Sequence, residues 1–162
     1  MTNASPARIP PGSVSGFSAR VARFFDDQHE RLERARRARR YFYSRLTRAL
    51  QVRVPKGQRV LEVGCGSGDL LAALEPSLGV GIDLSGRAVA AARERHARPE
   101  LRFVEGDAAD PSVLAAAGGP FDVVLLVNVI TQLEDVQALF EALQTVCHRR
   151  TRVLVYLSLI HI

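Results

Sequence analysis

The sequence predicts an α/β domain built on a doubly wound parallel sheet, and three observations support this. From Arg59 onward, strand patterns and helical patterns alternate, an order that favours parallel strands joined by right-handed crossovers. The run 121–127 is almost entirely apolar, as is typical of a strand buried on both faces. The stretch 60–70 passes from a strand through alternating glycines directly into a helical pattern, and the other elements are organised around it.

The composition indicates one globular domain. Of 162 residues, 47% are hydrophobic and 24% are charged, which are ordinary values for a soluble protein. The sequence has no apolar run of the roughly 18 residues that a membrane span needs, and 1–16 lacks the apolar core of a signal peptide. Cys65 and Cys147 have no metal-binding or redox spacing. We therefore expect a cytoplasmic protein with no metal site and no membrane contact; the sequence does not indicate its oligomeric state.

The positive charge is concentrated near the amino terminus. The net charge is +5, and the segment 20–48 holds ten arginines and four acidic residues, so it accounts for +6 alone. One interpretation is a solvated helix face on which Glu30 and Glu33 pair with Arg34 and Arg37 at helical spacing. The other is a basic cover for an acidic or phosphorylated substrate.

Before the first strand, the chain divides into a leader and a helical segment. Residues 1–16 are rich in Pro, Gly and Ser, which predicts a leader without a packed core. In 17–52, apolar residues recur at three and four positions, which predicts one or two amphipathic helices. We place the amino-terminal cap at Ser18 and a break, if there are two helices, near Asp26 and Asp27.

The glycine bend at 62–68 reads Glu-x-Gly-x-Gly-x-Gly. Glycines suit a tight turn with positive φ, and they let a ligand approach the backbone N–H groups closely. A dinucleotide site instead requires Gly-x-Gly-x-x-Gly, and the third glycine of that pattern is replaced by Asp69 or by Leu71, depending on where counting starts. The bend therefore predicts a nucleotide-type cradle of another class.

Two acidic residues follow the next two strands. Asp83 ends the predicted strand 79–83, about 20 residues beyond the bend, where a carboxylate can accept hydrogen bonds from both ribose hydroxyls of a nucleoside. A role as helix cap is less favoured, because Ser85 supplies that cap. Asp107 follows the predicted edge strand 101–105, and it is free for a ligand since Asp110 begins the next helix with a proline after it.

The last predicted elements surround Asn128. This residue follows the buried run 121–127 and should lie beside the glycine bend at the carboxyl edge of the sheet. A helix is predicted from Asp135 to Cys147, with the cations at 148–150 favourably placed at its carboxyl end. The fifth strand is predicted at 152–156.

Together, the glycine bend and the residues after strands two, three and four resemble class I S-adenosylmethionine-dependent methyltransferases. The resemblance implies a Rossmann-like sheet of order 3-2-1-4-5, S-adenosyl-L-methionine as cofactor, and an adenine amino group donating to Asp107. It also implies that a helix before the first strand covers the cofactor, bordered by Arg40, Tyr41 and Tyr43. The implied cofactor site comprises Glu62, Gly64, Cys65, Gly66, Gly68, Asp83, Leu84, Asp107, Ala108, Asn128 and Val129.

The family resemblance also bears on the methyl acceptor. Methyltransferases that modify amino groups of DNA bases or glutamine show Pro-Pro and an aromatic residue after the Asn, whereas Asn128 is followed by Val129 and Ile130. This favours a small-molecule acceptor over a nucleic acid. No residue stands out as a general base, and His29 and Tyr43 are the weak candidates.

A complete member of the family carries two further strands, so we expect 53–156 to be an incomplete methyltransferase domain. The tail 157–162 resembles the translation of a transposon end used as a sequencing adapter, and we expect it to be non-native. Three alternatives stay open: a nicotinamide-dependent oxidoreductase, a nucleic-acid methyltransferase that uses the arginine-rich helix, and a fragment without activity.

Overall fold

The computed structural model describes residues 15–158, which form a five-stranded parallel sheet with helices on both faces. The six α-helices and five strands are α1 (Gly16–Ala38), α2 (Arg40–Arg53), β1 (Arg59–Val63), α3 (Asp69–Ala73), β2 (Leu78–Asp83), α4 (Gly86–Arg95), β3 (Leu101–Glu105), α5 (Pro111–Ala117), β4 (Phe121–Val127), α6 (Val136–Leu143) and β5 (Cys147–Tyr156). Two short 3₁₀ turns, Ile130–Gln132 and Gln144–Val146, flank α6.

The strand order is β3-β2-β1-β4-β5, and every pair is parallel. This confirms the predicted α/β class and the predicted order. The chain runs outward from β1 through β2 to β3, then returns to the other side of β1 for β4 and β5. The order in which strands are added to the sheet thus reverses between β1 and β4. In open α/β sheets, ligands bind in the crevice outside the carboxyl ends of the strands at such a point.

Two hydrophobic cores cover the two faces of the sheet. Successive residues of β4 alternate between them: Val123 and Leu125 join the core with α2, α3 and α4, while Val124 and Leu126 join the core with α5 and α6. All four side chains are fully buried. A strand that is packed on both faces needs apolar residues at every position, which is why 121–127 lacks the usual alternation.

Helix α1 begins earlier and is longer than predicted. Its amino-terminal cap is Ser15, whose Oγ accepts from the backbone N–H of Ser18, so Ser18 lies inside the helix and is not the cap. The predicted break at Asp26 and Asp27 is also wrong. The helix continues through Asp26, whose carboxylate accepts from Oγ of Ser85 and the backbone N–H of Arg87, and the break comes at Arg39.

The carboxyl-terminal part differs from the prediction in one respect. Helix α6 is capped by Asp135 as expected, but it ends at Leu143 and not at Cys147. Cys147 instead opens β5 opposite Phe121, and 148–150 continue that strand. The Oγ1 of Thr151 donates to the Phe121 carbonyl. Pairing with β4 therefore determines the structure of 147–151, although the apolar pattern of the helix extends to Cys147 in the sequence.

Within residues 15–158, no helix is long and apolar enough to cross a membrane. The predicted leader falls almost entirely in 1–14, outside the described residues, and so do 159–162 of the predicted tail. Ser15 and Gly16, which we assigned to the leader, are part of the cap and first turn of α1.

Candidate functional site

A cavity of about 310 Å³ lies at the carboxyl edge of the sheet, between the strand ends and α1. Residues that follow β1, β2, β3 and β4 all reach it, although they are distant in sequence. Eight of the eleven residues predicted for the site line this cavity: Gly64, Gly66, Asp83, Leu84, Asp107, Ala108, Asn128 and Val129. The other three, Glu62, Cys65 and Gly68, do not.

The three glycines of the bend all have positive φ, as their residue type predicted, but they face different neighbours. A Cβ on Gly64 would lie 2.8 Å from Cγ2 of Val129, and one on Gly68 would lie 2.5 Å from the ring of Phe103. At Gly66, the nearest atom would be Nη1 of Arg36 at 3.8 Å. A Cβ on Gly66 would therefore make only an ordinary contact with Arg36 at the cavity lining, whereas Gly68 permits close packing against Phe103.

Asp83 ends β2 and holds the bend in place. Its Oδ2 accepts from the Gly66 backbone N–H at 2.8 Å, and its Oδ1 accepts from the Ser85 N–H at 2.9 Å. Burial raises the pKa of this carboxyl, although the two backbone donors oppose the shift. Each carboxylate oxygen has a second lone pair, so Asp83 can still accept hydroxyl donors from the cavity.

Asp107, after β3, is in contact with α1. Its Oδ1 accepts from the Ala109 backbone N–H at 2.9 Å, and its Oδ2 accepts from Oγ of Ser18 at 2.6 Å. Ser18 is the only buried residue of α1. Asp110 caps α5 through its own side chain, so Asp107 is not needed as a helix cap. The contact with Ser18 was not expected, because nothing in the local sequence couples positions 89 residues apart.

Glu62 and Cys65 belong to the bend, but their side chains are buried and do not line the cavity. Burial raises the pKa of Glu62 to about 8, against the attraction of the nearby Arg36 guanidinium. Within the described residues, Oε2 of Glu62 is buried without a hydrogen-bond partner. Cys65 is buried against β2, since its Sγ lies 2.7 Å from where a Cβ would stand on Gly81. Burial also raises the pKa of its thiol.

Asn128 turns the chain out of β4 and into the cavity wall. Its φ of 56° lies in the left-handed region, which asparagine tolerates better than most residues. Its backbone N–H donates to the Tyr156 carbonyl at 2.8 Å, and its side-chain Oδ1 accepts from the Ser158 N–H at 2.7 Å. The turn brings Val129 against Gly64, so this segment closes the cavity over the bend.

Helix α1 forms the outer wall, as the resemblance implied, but with other residues than predicted. Tyr43 lines the cavity, whereas Tyr41 is 75% exposed and neither it nor Arg40 reaches the lining. Further residues of α1 and of the α1–α2 break line the cavity, and the sequence did not assign them to the cofactor site; only His29 was named as a candidate base. They are Val21, Phe25, His29, Leu32, Glu33, Ala35, Arg36 and Arg39. Their spacing at three and four positions was visible in the sequence, but the direction of that face was not.

Polar contacts attach α1 to the sheet along its length. Asp26 accepts from Oγ of Ser85 at 2.5 Å. Farther along the helix, Glu33 pairs with Arg95 of α4 at 2.7 Å, so the expected pairing of Glu33 with Arg37 is wrong. The pKa of Glu33 is lowered by hydrogen bonds and charges from its basic neighbours, against the effect of burial. Within 15–158, no group of three or more His, Cys, Asp or Glu residues could hold a metal ion.

The donor and acceptor set of the cavity fits an adenosyl ligand. Asp83 and Asp107 offer acceptor oxygens for hydroxyl and amino donors, Gly66 lines the cavity without a side chain, and Val21, Phe25 and Leu133 supply apolar walls. Acceptors at one end of an apolar cavity are suited to orient such a molecule.

Comparison with known proteins gives a consistent result. Residues 60–150 match the family described as "Methyltransferase domain". A phthiotriol/phenolphthiotriol dimycocerosates methyltransferase of Mycobacterium leprae is 40% identical over 73 residues, which is 43% of this chain and 26% of that protein. A fatty-acid O-methyltransferase of Mycolicibacterium smegmatis is 41% identical over 77 residues, 45% of this chain and 27% of that protein. The chain thus spans about a quarter of the length of these relatives.

Among solved structures, the chain resembles magnesium protoporphyrin IX methyltransferase from Synechocystis PCC 6803, crystallised with bound SAM. The TM-score is 0.68 at 19% identity, over 89% of this chain and 77% of that one. At this identity the likeness concerns the fold. It places the sheet and the surrounding helices of the present chain in the same arrangement.

Proposed function

This chain belongs to the methyltransferase domain family, and we propose on that basis that the protein transfers the methyl group of S-adenosyl-L-methionine to a small-molecule acceptor. The observation that carries the proposal is the single cavity onto which the glycine bend, Asp83 and Asp107 converge. These residues come from the ends of three strands, and all three were assigned to one adenosyl ligand from the sequence. The roles of the eleven site residues are part of the proposal.

The proposed reaction is an in-line displacement at the methyl carbon. When bound, S-adenosyl-L-methionine supplies a methyl group that is already activated by its sulfonium sulfur. The chain's own contribution is then to fix and align the cofactor, which can lower a barrier by up to ~7–11 kcal/mol in favourable systems. The apolar residues of α1, such as Val21 and Phe25, would keep water away from the reacting centre. His29 and Tyr43 line the cavity, so either could accept a proton from an acceptor that needs deprotonation.

Two observations support a small-molecule acceptor. The relatives described above are named for small molecules, a fatty acid in one and phthiotriol dimycocerosates in the other. Helix α1 and the segment after β4 also contribute apolar side chains to the cavity wall, namely Val21, Phe25, Leu32 and Leu133, beside polar ones. A nucleic-acid acceptor is disfavoured by the sequence after β4, where Asn128 is followed by Val129 and Ile130 and not by Pro-Pro and an aromatic residue.

The division of the chain is likewise proposed: a helical segment at 17–52 that covers the site, and a methyltransferase domain from residue 53 to residue 156. A cytoplasmic location is also part of the proposal. Fractionation of cells that express the tagged protein tests the location, and recovery of most of the protein with membranes would contradict it.

Titration calorimetry tests the proposed cofactor directly. We expect the chain to bind S-adenosyl-L-homocysteine, the demethylated product, and to show no heat with NAD⁺. Equal binding of NAD⁺, or no binding of S-adenosyl-L-homocysteine, would contradict the proposal. Transfer of tritium from methyl-labelled S-adenosyl-L-methionine to a panel of fatty acids and phenolic lipids would then identify the acceptor.

A further inference from the structure

We infer that Arg36 of α1 binds the α-carboxylate of the cofactor's amino-acid moiety and so makes the site selective for adenosyl ligands that carry this group. The inference rests on the proposed cofactor and adds a residue that neither the glycine bend nor the strand ends supply. Arg36 lies on α1, which precedes the residues that match the methyltransferase family, 60–150.

Arg36 lies over Gly66 and Ser67 of the glycine bend, at the cavity lining. Its Nη1 is 3.8 Å from the position that a Cβ of Gly66 would take, and it donates to Oγ of Ser67 at 3.1 Å. The guanidinium carbon lies 4.9 Å from the centre of the Tyr43 ring, which supports the side chain from the other side. If Asp83 and Asp107 hold the nucleoside, the remainder of the ligand runs along the bend, toward Arg36.

The guanidinium group has donors to spare. Within residues 15–158, Nη1 is the only guanidinium atom of Arg36 that donates a hydrogen bond, and the group has five N–H donors. The side chain is 23% exposed, so it is held in place but still faces the cavity. A fork of two parallel N–H donors is the geometry that binds a carboxylate most strongly.

The local charge balance also favours an incoming anion. The carboxylate nearest to Arg36 is Asp69, at 3.5 Å from its Nε, but Asp69 has closer partners in Arg95 at 3.1 Å and His96 at 2.8 Å. Glu33 is paired with Arg95 at 2.7 Å. Asp69 and Glu33 are therefore already partnered, and the third nearby acid, Glu62, has a pKa raised to about 8 and stays largely uncharged at neutral pH. The positive charge of Arg36 is thus only partly compensated, and a carboxylate in the cavity beside its free N–H donors would complete the compensation.

The experiment compares two ligands that differ in the amino-acid moiety. S-adenosyl-L-homocysteine carries the carboxylate, and 5′-methylthioadenosine lacks the whole amino-acid end but keeps the nucleoside and the sulfur. Dissociation constants for both are measured by calorimetry with the unmodified chain, with Arg36→Gln and Arg36→Lys, and with Arg37→Gln as control. Arg37 is the exposed neighbour on α1 and does not line the cavity.

We expect Arg36→Gln to weaken S-adenosyl-L-homocysteine binding by about 10- to 100-fold, the usual worth of a hydrogen bond to a charged group, with little change for 5′-methylthioadenosine. Arg36→Lys keeps the charge but not the paired N–H donors, so its affinity for S-adenosyl-L-homocysteine should lie between those of Arg36→Gln and the unmodified chain. Arg37→Gln should match the unmodified chain. Equal weakening of both ligands would show that Arg36 only fixes α1 in place and would overturn the inference.

The design separates this inference from the proposed function. If the unmodified chain binds S-adenosyl-L-homocysteine and Arg36→Gln binds it equally well, the inference alone is rejected. If the unmodified chain binds neither ligand, the proposed cofactor is rejected and the inference with it. Thermal unfolding of each variant, monitored by circular dichroism, verifies that the variants are folded.

Discussion

The hydroxyl of Ser18 donates to the carboxylate of Asp107 at 2.6 Å, joining the first turn of α1 to the loop after β3. Asp107 is the residue proposed to accept from the adenine amino group. In the proposed site this carboxylate would therefore attach α1 over the cavity and also receive the nucleobase. If the adenine amino group uses Oδ2, helix α1 and the ligand would share an acceptor, and the two contacts would be coupled.

Replacing Ser18 by Ala tests this coupling. Without the hydroxyl, Oδ2 of Asp107 is available to the adenine amino group without first giving up a hydrogen bond, whose net value is about 1 kcal/mol. We expect S-adenosyl-L-homocysteine to bind up to about fivefold more tightly, as measured by calorimetry. Ser15→Ala is the control, because it alters the same turn and leaves Asp107 untouched. Tighter binding in both variants would assign the effect to loosening of the turn instead.

Asp83 is expected to be important for both folding and binding. In Asp83→Asn, the side chain keeps one acceptor oxygen and turns an NH₂ group toward either the Gly66 or the Ser85 backbone N–H. One buried donor then loses its partner, at a cost of about 1–3 kcal/mol in the free energy of unfolding. We also expect at least tenfold weaker binding of S-adenosyl-L-homocysteine. Urea unfolding and calorimetry measure the two effects.

The matched control is Asp110→Asn. Asp110 caps α5 through the Ser112 N–H, and asparagine is as good a helix cap as aspartate. This variant should keep both the stability and the affinity of the unmodified chain. A comparable loss in Asp110→Asn would show that any Asp-to-Asn change is damaging, and the special role of Asp83 would be rejected.

Three glycines with positive φ form a graded series. Gly57 has a φ of 78° and no atom within 4 Å of the position of an added Cβ. In Gly57→Ala, the free energy of unfolding should therefore fall only by the conformational cost of about 1–2 kcal/mol. Gly64→Ala adds a contact of 2.8 Å with Val129 and should lose more stability in urea unfolding. Gly66→Ala should resemble Gly57→Ala in stability but lose affinity for S-adenosyl-L-homocysteine, because its Cβ enters the cavity. Unchanged affinity in Gly66→Ala would argue against a ligand at the bend.

Glu62 should give the chain a characteristic pH dependence. Its pKa in the folded state is raised from 4.5 to about 8, so between these values the unfolded chain releases this proton while the folded chain keeps it. The contribution of Glu62 to stability is complete below pH 4.5 and falls as pH rises, until the folded state also ionises near pH 8.

The test compares the free energy of unfolding of Glu62→Gln and of the unmodified chain at pH 5 and at pH 8. Glutamine does not ionise, so we expect the variant to gain relative to the unmodified chain as pH rises across this window. Glu94→Gln, at an exposed position, should show no such trend. A difference between Glu62→Gln and the unmodified chain that is the same at both pH values would contradict the raised pKa.

The strands and the residues at their carboxyl ends could be predicted because their signals are local. The apolar run 121–127 and the glycine bend each report on their own backbone, and parallel topology then brings their ends together. The cap of α1 could not be predicted in the same way. Ser15 and Ser18 are both good cap residues, and the choice depends on Asp107, which lies far along the chain.

The incorrect predictions around α1 and β5 have the same kind of cause. The break at Arg39 changes the direction of Tyr41 and Tyr43 in α2 relative to Arg36 in α1. The residues that cover the cavity therefore could not be predicted from one continuous helix. Cys147 continues a helical apolar pattern in the sequence, but it pairs with Phe121 in the sheet. Pairing between distant segments overrides the local pattern at both places.

Helix α1 contributes no residue to either of the two hydrophobic cores, although it supplies one wall of the cavity. The parts of the chain that keep the sheet folded are thus separate from the surface that would meet an acceptor. Substitutions at Val21 or Phe25 could therefore reshape the wall that an acceptor would meet while both cores stay intact. The polar contacts of α1 with the sheet, such as Ser18 with Asp107 and Glu33 with Arg95, would have to be kept, because they hold the helix over the cavity.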